Sequence, residues 1–293
     1  MVYIMKRKVG TQNHYYLEHS LRNGPNVNKE TLYLGKEIPK NIESVKEEFL
    51  SKIYKEKFFD LFDRIKQNAS KEWKALPPSA RTKSLLQFST KFTYNTNRIE
   101  GSTLTLKETA RLLEEGISPN KKVSDVREAE SHKKVFFEMI EYKKDLSLQE
   151  VLHWHRMLLE ETKEDIAGKT RGHQVAISWS KFMPPIPAEI DLLLKEFFDW
   201  YRNVKDKLHP VALAALVHLK FVTIHPFADG NGRISRLMMN FVLHKNDFPM
   251  IDIAYEKRGG YYTALERSQV RKDDSIFLQW FFKRYLKEFK KYI

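Results

Sequence analysis

Nine consecutive residues, His225-Pro226-Phe227-Ala228-Asp229-Gly230-Asn231-Gly232-Arg233, gather an imidazole, a carboxylate, an amide, a guanidinium and a pair of glycines. Set at the start of a helix, these groups could hold phosphates and do chemistry beside them. A helix N-terminus offers N–H groups without intrahelical partners and the positive end of the macrodipole, which together attract anions. Gly230 and Gly232 would let backbone amides approach phosphate oxygens with no Cβ between them. Asn231 could donate to a phosphoryl oxygen, and Arg233 could clamp one through parallel N–H bonds. Arg236, three residues on, shares Arg233's helix face and could reach the next phosphate. Asp229 brings a hard oxygen suited to Mg²⁺ shared with phosphates. His225, with an ordinary pKa of ~6.5, suits taking a proton from an incoming hydroxyl. Pro226 and Phe227 are read as shaping and anchoring the loop.

These side chains need a rigid frame, and the apolar spacing indicates where it lies. Ile234, Leu237, Met238, Phe241 and Val242 recur at helical intervals directly after the motif. Before it, Pro210 to Thr223 is apolar nearly all round, the pattern of a central buried helix. The motif therefore reads as a loop between a buried helix and the N-terminus of the next. Further upstream, helical spacing runs through Phe58, Leu61, Phe62 and Ile65, breaks at Pro77-Pro78, and resumes over Leu104–Glu115 and Val126–Tyr142. After a break at Asp145 and Leu146 it continues through Val151, Trp154, Met157 and Leu158. Between Gly168 and Pro187 the period changes to that of a β-hairpin or extended loop, and helices return near Ala188. The first forty residues differ. Tyr15–Leu21 and Glu30–Leu34 are aromatic and apolar runs flanking the turn signal Asn23-Gly24-Pro25-Asn26, so a hairpin is expected there. The expected fold is mainly α, with a small N-terminal β appendage (1–40), a helical region (41–125), a core (126–250) and closing helices (251–293).

The 293-residue chain is 42% hydrophobic and 13% aromatic, enough for a sizeable core. Its net charge of +13 favours acidic partners such as nucleotides, but the charge is scattered, which argues against nucleic acid. Only Lys283, Arg284, Lys287, Lys290 and Lys291 cluster, around Phe281, Phe282 and Tyr285, as the solvated face of an amphipathic helix would. The chain has no cysteine, which excludes disulfides, thiolate metal sites and a cysteine nucleophile. No apolar run approaches the roughly 18 residues of a membrane span, and the first ten residues lack a secretory pattern, so a soluble cytoplasmic protein is expected. His153 and His155, two apart on a helix, would not face one metal; His132, His209, His218 and His244 read as packing or surface residues.

The motif and its setting, over most of Asn41 to Gln269, resemble the Fic family, whose members mostly transfer the AMP part of ATP onto hydroxyls of other proteins. The resemblance implies a Fic-type helical bundle with a β-hairpin flap, ATP as substrate and Mg²⁺ as cofactor. It implies that His225 is the general base and that Asp229 holds the metal. Asn231 and the amides of Gly230 and Gly232 would stabilise the α-phosphate, and Arg233 and Arg236 would bind the outer phosphates. The Asn-Gly-Arg ending at 231–233 matches the AMP-transferring majority rather than the lysine-bearing offshoot that binds ATP reversed.

Three further segments fit the same resemblance. Thr96-Asn97-Arg98-Ile99-Glu100-Gly101 resembles the family's inhibitory motif, in which the glutamate, here Glu100, pairs with the second arginine, here Arg236. Read locally, it is a helix C-terminus capped by Gly101. Residues 174–182 resemble the flap that docks an extended target segment by strand addition, with Arg171 as its anchor or simply a surface cation. Gly260–Leu265 resembles the adenine pocket; Tyr262 would stack on the nucleoside, hydrogen-bond to it or merely pack, and Gln269 stands where asparagine is common. Relatives often dimerise, and such an interface could gate the inhibitory helix.

Other readings remain open beside AMP transfer. A hydrolase would use Glu100 to orient water and remove AMP. A nucleotide-binding regulator would need no base, so the presence of His225 and Asp229 weighs against it. A DNA-binding regulator would need a winged helix, for which too few residues follow Pro249.

Overall fold

The computed structural model describes residues 2–23, 26–178 and 180–293. The chain opens with a three-stranded antiparallel sheet in the order β1 (Val2–Val9), β2 (Gln12–Asn23), β3 (Asn26–Gly35). The expected hairpin corresponds to β2–β3, where Asn23 pairs with Asn26; Gly24 and Pro25 lie outside the described residues. Strand β1 was not anticipated, because its inward apolar signal is confined to Val2 and Ile4 before the run Lys6-Arg7-Lys8. Leu17 and Leu21 of β2 belong to the same buried cluster as Phe49, Ile53 and Phe282, so the sheet rests on the helical body.

Helices α1 (Ile42–Tyr54) and α2 (Asp60–Ala75) are joined through a π-helical turn. Pro77 is extended and Pro78 occupies the first position of α3 (Pro78–Ile99), where the missing N–H costs nothing. Helix α4 (Leu106–Glu115) has a reciprocal cap between Thr105 and Glu108 and ends on left-handed Gly116. Helices α5 (Val123–Glu141) and α6 (Leu148–Leu159) meet across the break at Asp145, with Ser147 capping α6. The chain then runs through an extended segment to α7 (Ile190–Val204), α8 (Pro210–Ile224), α9 (Asn231–Lys245), α10 (Arg258–Arg271) and α11 (Asp274–Glu288).

Helix α8 is buried on nearly every side, as its uniform apolarity requires. Helix α9 packs along it, and Ile234, Leu237, Met238, Phe241 and Val242 are all buried. Each such side chain contributes about 2 kcal/mol of burial. The motif loop is thus suspended between the two most buried helices. The basic end of the chain is amphipathic as expected, with Phe281, Phe282 and Tyr285 turned inward. No helix among the described residues is long and apolar enough to cross a membrane.

Candidate functional site

His225 ends α8 in the left-handed conformation, φ 53 and ψ 55, a strained backbone for a residue with a side chain. Its surroundings hold it there. Its N–H bonds Phe221 O at 3.1 Å and its carbonyl accepts from Arg171 Nε at 2.9 Å. Nδ1 lies 3.2 Å from Val222 O. A carbonyl can only accept, so Nδ1 carries the proton and Nε2 keeps its lone pair. Burial pushes the imidazole below its ordinary value, opposed by Val222 O and the Glu100 carboxylate. The ring is therefore a neutral base at pH 7.

The loop beyond is fixed from both sides. Asn231 was expected to donate to a phosphoryl oxygen. Its amide is turned inward instead: Nδ2 donates to Phe227 O at 2.8 Å, and Oδ1 accepts from Phe227 N at 2.9 Å. On the other side, His155 stacks on Phe227 with ring centroids 3.7 Å apart. Its Nδ1 accepts from Gly168 N at 2.9 Å, so Nε2 is the nitrogen that donates to Asp229 O, at 3.0 Å. Burial lowers His155 to about 4, which keeps it neutral in this role. Gly230 starts α9 at φ 82, and a Cβ there would press on the His155 ring.

Arg233 and Arg236 are both 1% exposed, but their partners differ. Arg233 pairs with Glu128 of α5 and, at 2.9 Å, with Asp229. Lys163 closes the ring, 2.6 Å from Asp229 and 2.8 Å from Glu128. Burial alone would raise the Asp229 carboxyl, but Arg233, Lys163 and the Gly230 N–H hold it well below the usual range, so it is ionised. Arg236 instead reaches Glu100 at 2.5 Å, Thr96 O at 3.2 Å, Thr96 Oγ1 at 3.3 Å and the Tyr261 hydroxyl at 3.3 Å. Both residues of the candidate inhibitory motif, Thr96 and Glu100, therefore converge on it. Gly101, at φ 102, turns the chain out of α3 just after the glutamate, so the local helix-end reading holds as well.

Glu100 also lies directly over the motif. A Cβ on Gly232 would collide with its Oε1. The carboxylate thus occupies the approach to the α9 N-terminus that the glycine leaves open. Tyr262, expected near a nucleoside, donates its hydroxyl to Ile99 O at 3.0 Å and so ties α10 to the end of α3.

These groups share one cavity of about 770 Å³, lined among others by Glu100, His225, Asp229, Gly232, Arg236 and Tyr262. Gln269 also lines it and donates to Thr223 Oγ1 at 3.1 Å. Among the described residues of its wall Arg236 is present and Arg233 is not. Ala176, Ile177, Ser178 and Ser180, from the segment after Gly168, also line the cavity. That segment was expected as a hairpin or an extended loop and is extended, with no ladder among its described residues; Trp179 lies outside them. Side-chain bonds replace a ladder. Arg171 is buried and donates to His173 O, Pro185 O and His225 O, so it fastens this segment to the motif. Gln174 donates to Pro184 O at 3.0 Å, and the Lys181 N–H to Glu266 at 3.0 Å.

Asp229 fits a divalent ion: it is one ionised hard-oxygen donor on the wall of an open cavity, the usual arrangement when phosphates supply further ligands. Elsewhere, donor atoms of Glu138, Glu150 and His153 lie within 4.8 Å of one another on the α5–α6 surface, where His153 pairs with Glu138 at 2.6 Å. His153 and His155 point to different partners, as their spacing required.

Comparison with known proteins agrees with this geometry. The Fic/DOC family profile matches residues 145–243. A protein adenylyltransferase Fic of Nematostella vectensis is 34% identical over 181 residues, covering 60% of this chain and 42% of that protein. Its Drosophila melanogaster counterpart is 34% identical over 178 residues, 59% of this chain and 36% of that one. The chain thus spans less than half the length of these relatives. Among solved structures, a Fic-domain-containing signaling protein from Bacteroides thetaiotaomicron superposes with a TM-score of 0.70 at 31% identity, over 78% of this chain and 94% of that one. A fragment of Fic-1 from C. elegans gives a TM-score of 0.68 at 25% identity, over 87% of this chain and 77% of that one. With the motif, the helical frame and the cavity in agreement, the chain belongs to the Fic/DOC family.

Proposed function

We propose that this protein transfers AMP from Mg·ATP to a Ser, Thr or Tyr hydroxyl of another protein and is restrained by Glu100. The observation that carries the reading is the cavity itself, which joins a neutral imidazole, an ionised carboxylate, a glycine-lined helix N-terminus and a buried guanidinium. Its volume suits a nucleotide. The activity named for the Nematostella and Drosophila relatives supports the same reading.

In this reading His225 Nε2 takes the proton of the target hydroxyl as its oxygen attacks the α-phosphorus. The bond from that phosphorus to the bridging oxygen breaks, and pyrophosphate leaves with the electron pair. Asp229 would hold the divalent ion, whose positive charge would offset the negative charge of the departing pyrophosphate. The α9 N-terminus and Arg236 receive the phosphates, Arg233 holds Asp229 in place, and Asn231 holds the loop rigid so that His225 keeps its aim. The extended wall at 174–182 docks the target through main-chain bonds. Dependence on ATP and the absence of cysteine suit a cytoplasmic setting.

Glu100 competes with the triphosphate for the space over Gly232 and for Arg236, which is its inhibitory role. The test is incubation of wild type, Glu100→Gly and His225→Ala with Mg²⁺ and ATP labelled at the α- or γ-phosphate, reading protein-bound label on a denaturing gel. Label from the α position only, stronger in Glu100→Gly and about 10²–10⁴-fold weaker in His225→Ala, is expected. Label from γ would overturn AMP transfer. A base is active when deprotonated, so kcat/KM should fall as pH drops through the depressed His225 pKa and be flat above the ordinary ~6.5. An acid limb centred above that value would contradict the assignment.

A further inference from the structure

The cation nearest the metal-binding carboxylate comes from outside the motif. Lys163 lies in the turn after α6, where its N–H bonds Leu159 O at 2.7 Å and its carbonyl accepts from Ile166 and Ala167. Asp229 Oδ1 is already engaged by Gly230 N at 2.5 Å and Arg233 Nη2 at 2.9 Å. Oδ2 is the oxygen left for a metal, and Lys163 Nζ sits on it at 2.6 Å. The ammonium simultaneously bonds Glu128 Oε1 at 2.8 Å.

We propose that Lys163 is a resident counter-ion of Asp229 which a divalent metal must displace, so that it sets the metal affinity of the site and restrains it independently of Glu100. This rests on Asp229 being the metal ligand. The two cations differ in how easily they give way. Arg233 is buried with a rigid planar head, whereas the Lys163 side chain is 37% exposed on a flexible stem that can swing to water. Glu128 supplies a second anchor, so Lys163 can leave Asp229 without losing every partner. The ring of Asp229, Glu128, Arg233 and Lys163 is neutral as it stands. A metal arriving alone would add uncompensated positive charge, whereas a metal arriving with a triphosphate would not. Lys163 therefore makes metal loading depend on the nucleotide.

The test uses Mn²⁺ alone as probe, with free Mn²⁺ read by electron paramagnetic resonance on the full nucleotide-free chain, so no turnover is involved. Lys163→Met is expected to bind Mn²⁺ about tenfold tighter than wild type, the scale of coupling for a close charge pair. Lys163→Arg, which keeps the charge, should bind no tighter than wild type, and Asp229→Asn should lose the site. Lys163→Gln, neutral but polar, is the second variant that guards against collapse of the ring, and it should tighten binding in the same direction. If both neutral variants bind no tighter than wild type while Asp229→Asn loses binding, the inference is overturned and Asp229 stands as the metal ligand. Binding unaffected by Asp229→Asn, or undetectable in every variant at millimolar Mn²⁺, would overturn both.

Discussion

Arg233 and Arg236 leave the same helix three residues apart, equally buried, and meet opposite kinds of neighbour. Arg233 is paired with two carboxylates, Asp229 of the motif and Glu128 of a packed helix. Arg236 has one carboxylate, Glu100, whose side chain is 31% exposed at the very end of α3, and otherwise only neutral acceptors and a tyrosine hydroxyl. The first arrangement is a foundation and the second a vacancy kept by a replaceable occupant. If Glu100 withdrew, Arg236 would be a buried cation without an anion, a charge that the phosphate of the proposed substrate would balance. In the proposed reading, placing the two kinds of site side by side would let the protein hold its loop rigid while leaving phosphate binding open to control.

Substitutions on each side should separate the two halves. The largest effect is expected for Arg233→Met, which leaves Asp229 and Glu128 with Lys163 alone. Loss of one member of a buried ionic network should cost about 3–5 kcal/mol in denaturant unfolding, and added pyrophosphate should not restore it. Equal recovery with pyrophosphate would erase the distinction between the arginines. Glu100→Gln should cost less, about 1–2 kcal/mol, because Arg236 keeps its neutral partners and the cavity admits water. Pyrophosphate should recover that loss, since it binds the folded state and supplies the missing charge. The smallest change is expected for Tyr262→Phe, which frees Ile99 O and loosens the end of α3. At about 1 kcal/mol for the bond, AMP transfer should rise by roughly fivefold, short of the release in Glu100→Gly. No increase would mean that the Tyr262–Ile99 bond does not restrain Glu100.

The contiguous part of this site was legible because its chemistry is local. The motif spans nine residues, and the apolar spacing of α9 places it at a helix start. Glu100 was legible through its own short motif. Glu128 and Lys163 were not, since they come from α5 and the turn after α6 and acquire meaning only when packing brings them to Asp229. The spacing of His155 from His153 shows only that the two would not share a metal; His155 acts through a ring stack and a bond to a carbonyl, neither of which leaves a spacing signature. Asn231 shows what residue type leaves out: the type suits a phosphate contact, and in this structure the buried amide bonds both backbone groups of Phe227. The period of the segment after Gly168 suits a hairpin or an extended loop alike; Arg171 and Gln174 meet its carbonyls with side chains, and it is extended with no ladder among its described residues.

The most direct measurement is a crystal structure of Glu100→Gly with Mg²⁺ and a non-hydrolysable ATP analogue. A phosphate on Arg236, phosphate oxygens over Gly232 where the wild-type carboxylate lies, and the α-phosphorus within reach of His225 Nε2 are expected. Phosphates bound elsewhere, with Arg236 uncontacted and the space over Gly232 empty, would contradict the proposed reading.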